Sequence, residues 1–186
     1  LREIRACTVC APALPHGVRP VLNFADGAKI LLVGQAPGSA VHASGVPWDD
    51  PSGVLLREWM GVDDATFYDP HKVAIVPMGF CYPGRAKSGD APPRPECAPL
   101  WHDRINALLE PQLILLVGSY AQARYLGDAR KKTLTETVRS WRDFPGDRLA
   151  LPHPSPRNRP WLAKNPWFGK EILPLLRRRV TRALKG

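Results

Sequence analysis

The sequence contains no long apolar segment. None of its segments approaches the roughly 18 consecutive apolar residues that a membrane-spanning helix needs. The charged stretch Leu1-Arg2-Glu3-Ile4-Arg5 also lacks the apolar core of a secretory signal. We therefore expect a soluble, cytoplasmic protein. The chain has 186 residues, 44% of them hydrophobic, which suffices for one globular domain over residues 1–186, and a monomer is the expected state.

Acidic residues are scarce near the carboxyl-terminal end. Residues 157–186 hold nine Lys or Arg against a single acid, Glu171, whereas residues 1–156 are close to neutral. Because each basic side chain that neutralises a phosphate releases a counterion, such a tract favours a nucleic-acid partner. A solvated helix face explains the charge equally well on its own.

Cysteines are few, and their spacing is uneven. Only four are present, as a C-x2-C pair (Cys7 and Cys10) and a C-x15-C pair (Cys81 and Cys97). In a reducing compartment, disulfides are the less common use of such residues. Four thiolates suit an iron–sulfur cluster or a zinc ion, and four unrelated buried thiols are the alternative.

Four short apolar segments predict buried strands, because they are too short and too uniformly apolar for surface helices. They span residues 29–34, 73–78, 113–118 and 148–152. Helices are predicted over 53–60, with Ser52 as N-cap and Gly61 as the end, over 95–110, and after the capping box Thr133–Glu136. This alternation predicts an α/β fold, a three-layer sandwich in which helices flank a central four-stranded parallel sheet.

The least ordinary residues follow the predicted strands. The four loops read GQAPG (34–38), MGFCYPG (78–84), GSYAQ (118–122) and HPSPRN (153–158). The carboxyl ends of parallel strands meet at one edge of a sheet, so we expect a working crevice there. Residues 82–99 are rich in Pro and Gly and are predicted to form an irregular loop held by Cys81 and Cys97.

Together, the loops GQAPG and HPSPRN resemble the two motifs of the uracil-DNA glycosylase superfamily, a G-x-x-P-G type loop and an H-P-S segment followed by basic or polar residues. The resemblance covers nearly the whole chain. HPSPRN, followed by Trp161, is similar to single-strand-selective monofunctional enzymes, whereas the cysteine spacing is similar to the iron–sulfur type A and type B branch. The resemblance implies a uracil-DNA glycosylase-like fold and a structural [4Fe–4S] cluster, with zinc as the alternative, on Cys7, Cys10, Cys81 and Cys97.

Hydrolysis of an N-glycosidic bond places positive charge on the sugar and negative charge on the departing base. The site therefore needs a held water, a donor to the base oxygen and a dry pocket. His153 is the predicted donor to the O2 side of uracil. A histidine that merely caps a turn is the alternative for this residue.

Water activation differs from the best-known members, which have Asp or Asn where this chain has Ala36. The type A pattern has Glu at the position of Gln35, so neither position supplies a carboxylate. A type B stretch resembles Asp50-Pro51-Ser52-Gly53, which predicts Asp50 as the water-orienting base, Asp49 as second choice and Gln35 as a water-holding amide. Capping of a helix N-terminus is the alternative for both aspartates.

Base recognition is expected at three places. Trp48 lies where the family has an aromatic residue, so its ring is predicted to stack on the flipped base, with core packing as the alternative. The Asn that reads uracil in the iron–sulfur branch is missing, which leaves the backbone of Met78, Gly79 and Phe80 to read the base edge, beside Ala36. A looser pocket that accepts other deaminated bases is the hypothesis that follows.

DNA contacts are expected from the second motif. Ser155 would hold a phosphate, and Arg157 or Asn158 would approach the strand or fill the vacated space. Arg159, Trp161 and Lys164 would extend this contact. On the 82–99 loop, Arg85, Lys87 and Arg94 would present further charge to phosphates.

Three functions are consistent with these residues. The first is a monofunctional DNA glycosylase that removes uracil from single- or double-stranded DNA and so begins base excision repair; no lysine in the two motif loops can form the Schiff base of a strand-cleaving enzyme. The second is a catalytically weak or inactive protein that binds uracil-containing or abasic DNA, suggested by Ala36. A nucleotide-binding α/β enzyme is the third, although the chain has neither a Walker lysine nor a G-x-G-x-x-G fingerprint.

Overall fold

The computed structural model describes residues 1–186. Its strands are β1 (Ile30–Val33), β2 (Val73–Ile75), β3 (Arg85–Ala86), β4 (Gly89–Asp90), β5 (Leu113–Val117) and β6 (Arg148–Leu151). Four of them form a parallel sheet in the order β2-β1-β5-β6, in which Leu31 lies opposite Ala74 on one side and Ile114 on the other. Strands buried on both faces are continuous apolar segments in sequence, which is why all four could be predicted.

Helices connect and flank these strands. They are α1 (Arg2–Arg5), α2 (Ser39–Ser44), α3 (Pro51–Met60), α4 (Asp64–Phe67), α5 (Asp103–Asn106), α6 (Ser119–Leu126), α7 (Leu134–Arg139), α8 (Arg159–Lys164) and α9 (Leu173–Lys185). Helix α9 packs on β1 and β5 and against α3, while α6 packs on β5 and α7 on β6. The predicted three-layer α/β sandwich is confirmed. No helix has the length and apolar character that a bilayer crossing requires.

Helix α3 begins two residues earlier than predicted. Asp50 is its N-cap, since its Oδ1 accepts the Gly53 backbone N–H at 2.8 Å. Pro51 is then the first helical residue, where its missing N–H costs nothing. The prediction of Ser52 as N-cap was therefore wrong, whereas the end at Gly61, in the left-handed conformation with φ 69°, is confirmed.

Two other helix predictions had different outcomes. The capping box is confirmed, because the Thr133 backbone N–H donates to Glu136 Oε2 at 2.9 Å and the Glu136 N–H donates to Thr133 Oγ1 at 3.2 Å. The helix over 95–110 is shorter than predicted. A π-helical turn over Ala98–His102 leads into α5, which ends at Asn106.

Residues 82–99 are less irregular than predicted. Strands β3 and β4 form an antiparallel hairpin in which Arg85 pairs with Asp90 and Ala86 with Gly89. Lys87 and Ser88 form its exposed turn. This hairpin extends from the segment between Cys81 and Cys97 towards the carboxyl edge of the sheet.

A buried histidine holds the loop that follows β2. His102 is fully buried; its Nε2 donates to the Pro77 carbonyl at 3.0 Å, and its Nδ1 lies 2.9 Å from the Tyr125 hydroxyl. The imidazole also stacks on Phe80, with 5.7 Å between ring centroids. Burial lowers the pKa of His102 from 6.5 to about 4. The imidazole is therefore neutral at neutral pH.

This histidine should make the free energy of unfolding depend on pH. Between pH 6.5 and about 4 the unfolded chain binds a proton at His102 that the folded chain does not, so stability falls as the pH falls. The full loss from this group is on the order of 3 kcal/mol. Urea unfolding at neutral pH and near pH 4 measures it. We expect a smaller loss in His102→Gln, and an equal loss in both proteins would contradict the assignment.

Candidate active site

A pocket of about 340 Å³ opens at the carboxyl edge of the sheet. Its walls come from the loop after β1 (34–38), from Trp48 and Asp50 before α3, from Pro77 after β2, and from the 153–157 loop after β6. The loop after β5 contributes no lining residue, contrary to prediction. Residues 119–122 are instead the start of α6, whose buried Gln122 donates to the Leu151 carbonyl at 2.9 Å and so joins this helix to the end of β6.

The first motif loop is tied to the end of β2 by two backbone hydrogen bonds. Met78 N–H donates to the Gly34 carbonyl at 2.9 Å, and Gly79 N–H donates to the Gln35 carbonyl at 3.0 Å. Met78, Gly79 and Phe80 are buried and do not line the pocket. The predicted reading of the base edge by their backbone needs correction, because the first two N–H groups already have partners.

Gln35 and Ala36 both line the pocket, as expected. The Gln35 side chain makes no hydrogen bond to another residue, so its amide is free to hold a water or a substrate atom. Ala36 offers only a methyl group to the pocket. The first motif therefore contributes shape and one amide to the pocket, but no charge.

Trp48 has an unusual backbone conformation. Its φ of 58° is the only positive value outside glycine, a conformation that costs about 1 kcal/mol or more for a bulky residue. The indole lies against Gly34 so closely that an added Cβ there would be 2.8 Å from Trp48 Cζ2. Its ring centroid is 5.5 Å from that of His153. Strain of this kind concentrates at functional sites, so its position in the pocket wall favours a role in binding.

Gly53 leaves room for the Trp48 backbone. A Cβ added at Gly53 would lie 1.8 Å from the Trp48 carbonyl oxygen. That oxygen also accepts a hydrogen bond from Arg57 Nη1 at 3.4 Å. The start of α3 and the strained turn before it therefore depend on a glycine at this position.

Asp50 is both the N-cap of α3 and a residue of the pocket wall. One carboxylate oxygen caps α3, and the residue lines the pocket, so the second oxygen is available there. Asp49 is exposed and does not line the pocket, which removes the second choice for water activation. Of the two aspartates before α3, only Asp50 can therefore reach a bound nucleotide.

His153 lies opposite Trp48, and its ring makes no hydrogen bond to the protein. Burial lowers the pKa of the imidazole, and the negative charges of Asp50 and then Asp90 partly oppose this effect. The ring is therefore neutral near neutral pH, with one N–H free to donate into the pocket. Its backbone carbonyl accepts the Asn158 side-chain N–H at 2.7 Å, which holds the second motif loop in place.

The β3–β4 hairpin forms a further wall that the sequence did not predict. Asp90 lines the pocket, and its Oδ2 would be 3.3 Å from a Cβ added at Gly38 in the first motif loop. Gly89 lies so close to Arg157 of the second motif loop that an added Cβ would be 2.5 Å from Nη1. The hairpin therefore contacts both motif loops. Its only sequence signal was its position between Cys81 and Cys97.

The predicted DNA-contacting residues divide into two groups. Ser155 and Arg157 line the pocket, and Arg159 is exposed at the start of α8. Ser155 Oγ also accepts the Arg157 backbone N–H at 3.3 Å. One amide N–H of Asn158 is bound to the His153 carbonyl, and the Arg94 guanidinium pairs with Glu96, so both side chains already have a protein partner. Their contacts to DNA stay predictions.

Trp161 has a structural environment. Its Nε1 donates to Thr135 Oγ1 at 2.9 Å, and its ring meets those of Trp167 and Phe168 edge-on, with centroids 5.8 and 5.6 Å apart. A contact to a DNA strand from this side chain is therefore not supported, whereas Lys164 is exposed. Trp161 instead joins α8 to the segment before α9.

The basic residues of α9 lie far from the pocket. Lys29, directly before β1, donates to the carbonyl of Gly186 at 3.1 Å, and Arg179 donates to the carbonyl of Arg148 at the start of β6 at 2.9 Å. The helix therefore ends at the amino edge of the sheet, opposite the pocket. DNA bound at the pocket would be contacted by the motif loops and not by the basic residues of α9.

All four cysteines line one small pocket beside Arg94 and Trp101. They are free thiols, and burial raises the pKa of Cys97 to about 12 and also raises the pKa values of Cys10 and Cys81. No group of three or more His, Cys, Asp or Glu side chains is arranged to coordinate a metal ion directly. The donor set nevertheless fits a sulfur-ligated group, because four unpaired thiols from distant parts of the chain share one pocket.

A known protein family matches a region of this chain that includes both motif loops and the hairpin. The family model described as the uracil DNA glycosylase superfamily matches residues 23–177, well over half of the chain. This span contains all six strands and every residue of the pocket wall except Val21, and it begins after Cys7 and Cys10. The chain therefore belongs to the uracil DNA glycosylase superfamily and is, at the level of the family, a glycosylase-type enzyme that binds DNA.

Proposed function

We propose that this protein is a monofunctional DNA glycosylase that hydrolyses the bond between uracil and deoxyribose in DNA, and that it accepts other deaminated bases. The observation that carries the proposal is the pocket in which Trp48 and His153 face each other at the carboxyl edge of the sheet. An enzyme of this type must take a base out of the stack and enclose it. A single chain supplies the whole pocket, so we expect a monomer to be active.

Stacking and hydrogen bonding would divide the recognition of the base. The indole of Trp48 is held rigidly by Gly34 and by its own backbone, so it offers a preformed surface for a flat ring. His153 then lies within reach of the base edge and donates its N–H to the oxygen on which negative charge develops. A neutral donor stabilises this charge without the cost of a buried cation.

Water activation has to come from residues other than Ala36. The free oxygen of Asp50 and the unpaired amide of Gln35 both line the pocket and are suited to holding a water. No lysine lines the pocket, so no side chain there can form the covalent imine that strand cleavage requires. These features support simple hydrolysis that leaves an abasic site.

DNA would cross the surface around the pocket mouth. Arg157 and Arg159 after β6, and Arg85 and Lys87 on the hairpin, are exposed, and Arg157 lines the groove beside the pocket. Ser155 and nearby backbone N–H groups would hold a phosphate next to the flipped nucleotide. The charge at this edge is therefore suited to either a single strand or a duplex.

The proposal is tested with labelled oligonucleotides that contain one uracil, single- and double-stranded, at enzyme excess. Alkaline cleavage of the product reveals abasic sites, and the same oligonucleotides with thymine are the control. Product from the uracil substrate alone supports the proposal. Binding of uracil-containing or abasic DNA without any product would instead favour the alternative suggested by Ala36, a DNA-binding protein that has lost catalysis.

We also propose that Cys7, Cys10, Cys81 and Cys97 hold a [4Fe–4S] cluster, with zinc as the alternative. Such a group would act as a structural cross-link and take no part in the hydrolysis. It would join the amino-terminal segment to the loop between Cys81 and Cys97, which carries the hairpin. The free thiols that share one pocket support this assignment.

A cluster predicts a brown protein with broad visible absorption after anaerobic purification. Cys97→Ser should lose this colour together with the iron and the acid-labile sulfide, because it removes one of four ligands. Lys87→Ala, on the same loop but distant from the thiols, is the control and should keep the colour, the iron and the acid-labile sulfide. A colourless protein with stoichiometric zinc would replace the cluster by zinc, and the absence of any bound metal would reject both.

A further inference from the structure

The two motif loops leave the catalytic machinery incomplete, because Ala36 supplies no carboxylate. We propose that Asp90, carried by the β3–β4 hairpin, faces the sugar of the flipped nucleotide, orients the attacking water and stabilises the positive charge. This inference rests on the proposed glycosylase function. It assigns a catalytic role to a residue outside both motif loops.

The position of Asp90 is the first argument. It lines the pocket together with His153, and also the groove that continues from the pocket along the hairpin. Its Oδ2 would lie 3.3 Å from a Cβ added at Gly38, two residues after Ala36. The carboxylate therefore lies beside the first motif loop, in the wall of the same pocket.

The second argument is how the carboxylate is held. The Tyr82 hydroxyl faces Asp90 Oδ1 at 3.5 Å, the long limit of a hydrogen bond, and the tyrosine is only 2% exposed, whereas Asp90 is exposed. The Tyr82 ring stacks on His16 at 5.1 Å and meets His42 at 5.7 Å between centroids. This aromatic cluster packs around Tyr82, so Asp90 Oδ1 has one long contact to a buried hydroxyl, while Oδ2 has no hydrogen-bond partner.

The third argument is a comparison of charges. Asp90 forms no salt bridge, although the chain carries a net charge of +9. One oxygen of Asp50, by contrast, is committed to the N-terminus of α3. Both carboxylates lie close enough to His153 to act on the charge of its imidazole. The lining of the pocket therefore combines His153 with two carboxylates, of which Asp90 is the less committed.

These positions allow a balanced hydrolysis. The bond between C1′ of the sugar and N1 of uracil breaks, and its electron pair leaves with the base, whose O2 side receives a hydrogen bond from His153. The water oxygen bonds to C1′ on the open face. The proton of that water passes to the Asp90 carboxylate and from there to solvent or to the departing base. The products are uracil and an abasic site, with no other reactant required.

The test compares Asp90→Asn, Asp50→Asn and Tyr82→Phe, with Asp128→Asn as a matched control on an exposed turn away from the pocket. Single-turnover excision of uracil is the first measurement. The second is binding of two abasic oligonucleotides, one with a cationic pyrrolidine in place of the sugar and one with a neutral tetrahydrofuran. The ratio of the two affinities reports negative charge near the sugar and requires no turnover.

We expect Asp90→Asn to lower the excision rate by on the order of a hundredfold and to reduce the preference for the cationic analogue by about tenfold. Tyr82→Phe should show smaller changes in the same direction, because it only loosens the carboxylate. Asp128→Asn should behave like the wild type. A residue with a merely structural role would weaken binding of both analogues equally and leave their ratio unchanged.

If Asp90→Asn leaves the excision rate and the ratio of the two affinities unchanged, the proposal is overturned. If Asp50→Asn alone lowers both the rate and the ratio, the role belongs to Asp50. If the wild type binds both analogues but releases no base, the glycosylase function fails while the ratio still reports whether Asp90 faces the sugar. If it binds neither, the glycosylase proposal fails, and the role of Asp90 fails with it.

Discussion

His153→Ala lowers the rate of single-turnover uracil excision by on the order of a hundredfold or more, because it removes the only donor predicted for the developing negative charge. The imidazole lies in the pocket opposite Trp48 and has no protein partner, so its N–H is available to the substrate. Affinity for abasic DNA should change little, since the interaction is made mainly in the transition state.

The matched control for this variant is His71→Ala. His71 is exposed, and only its backbone makes hydrogen bonds, to Asp69 and Lys29, so its imidazole has no partner. It should therefore retain wild-type excision. A folded His153→Ala protein that excises uracil at the wild-type rate would remove this residue from the mechanism.

Gly53→Ala has the second large expected effect, on stability as well as on the pocket. The new Cβ would lie 1.8 Å from the Trp48 carbonyl oxygen, a backbone atom that cannot move away by rotation of a side chain. We expect a loss of about 3 kcal/mol in the free energy of unfolding, measured with urea, because the strained turn and the start of α3 have to separate. Displacement of Trp48 should also weaken excision.

Gly169→Ala is the control for the same substitution. A Cβ at Gly169 would meet nothing within 4 Å, and the residue lies in a helical turn. Its stability should be unchanged or slightly raised, since alanine favours helix over glycine. Equal unfolding midpoints for the two variants would indicate that the Trp48 turn can relax, and would contradict the importance assigned to Gly53.

Much of the scaffold could be predicted because it depends on local physics. The strand β1 has to be buried on both faces, and the sequence there is apolar throughout. Thr133 and Glu136 form their capping box within four residues. Ser52, by contrast, was predicted to be the N-cap of α3, but Asp50 has this role, because Pro51 is accepted as the first residue of a helix.

The site was less predictable where hydrogen-bonding groups of the backbone and side chains had alternative partners. Met78 and Gly79 follow a strand end, which suggested that they line the pocket, but they are buried outside it and their N–H groups bind the first motif loop. Asn158 is a polar residue of the kind that contacts DNA, but in the structure its amide donates to the His153 carbonyl. Such choices depend on which atoms meet after folding, and no spacing in the sequence specifies them.

The sequence alone determined the parallel sheet and the edge at which the two motif loops meet. The same loops and their order also indicated the uracil DNA glycosylase superfamily. Apolar patterning and the common direction of parallel strands are sufficient for these conclusions. Only the tertiary structure decided that Trp48 adopts a strained turn on Gly53, that four distant cysteines share one pocket, and that Asp90 reaches it from the hairpin. Each of these depends on contacts between residues far apart in the chain, whose approach is controlled by the packing of the whole domain.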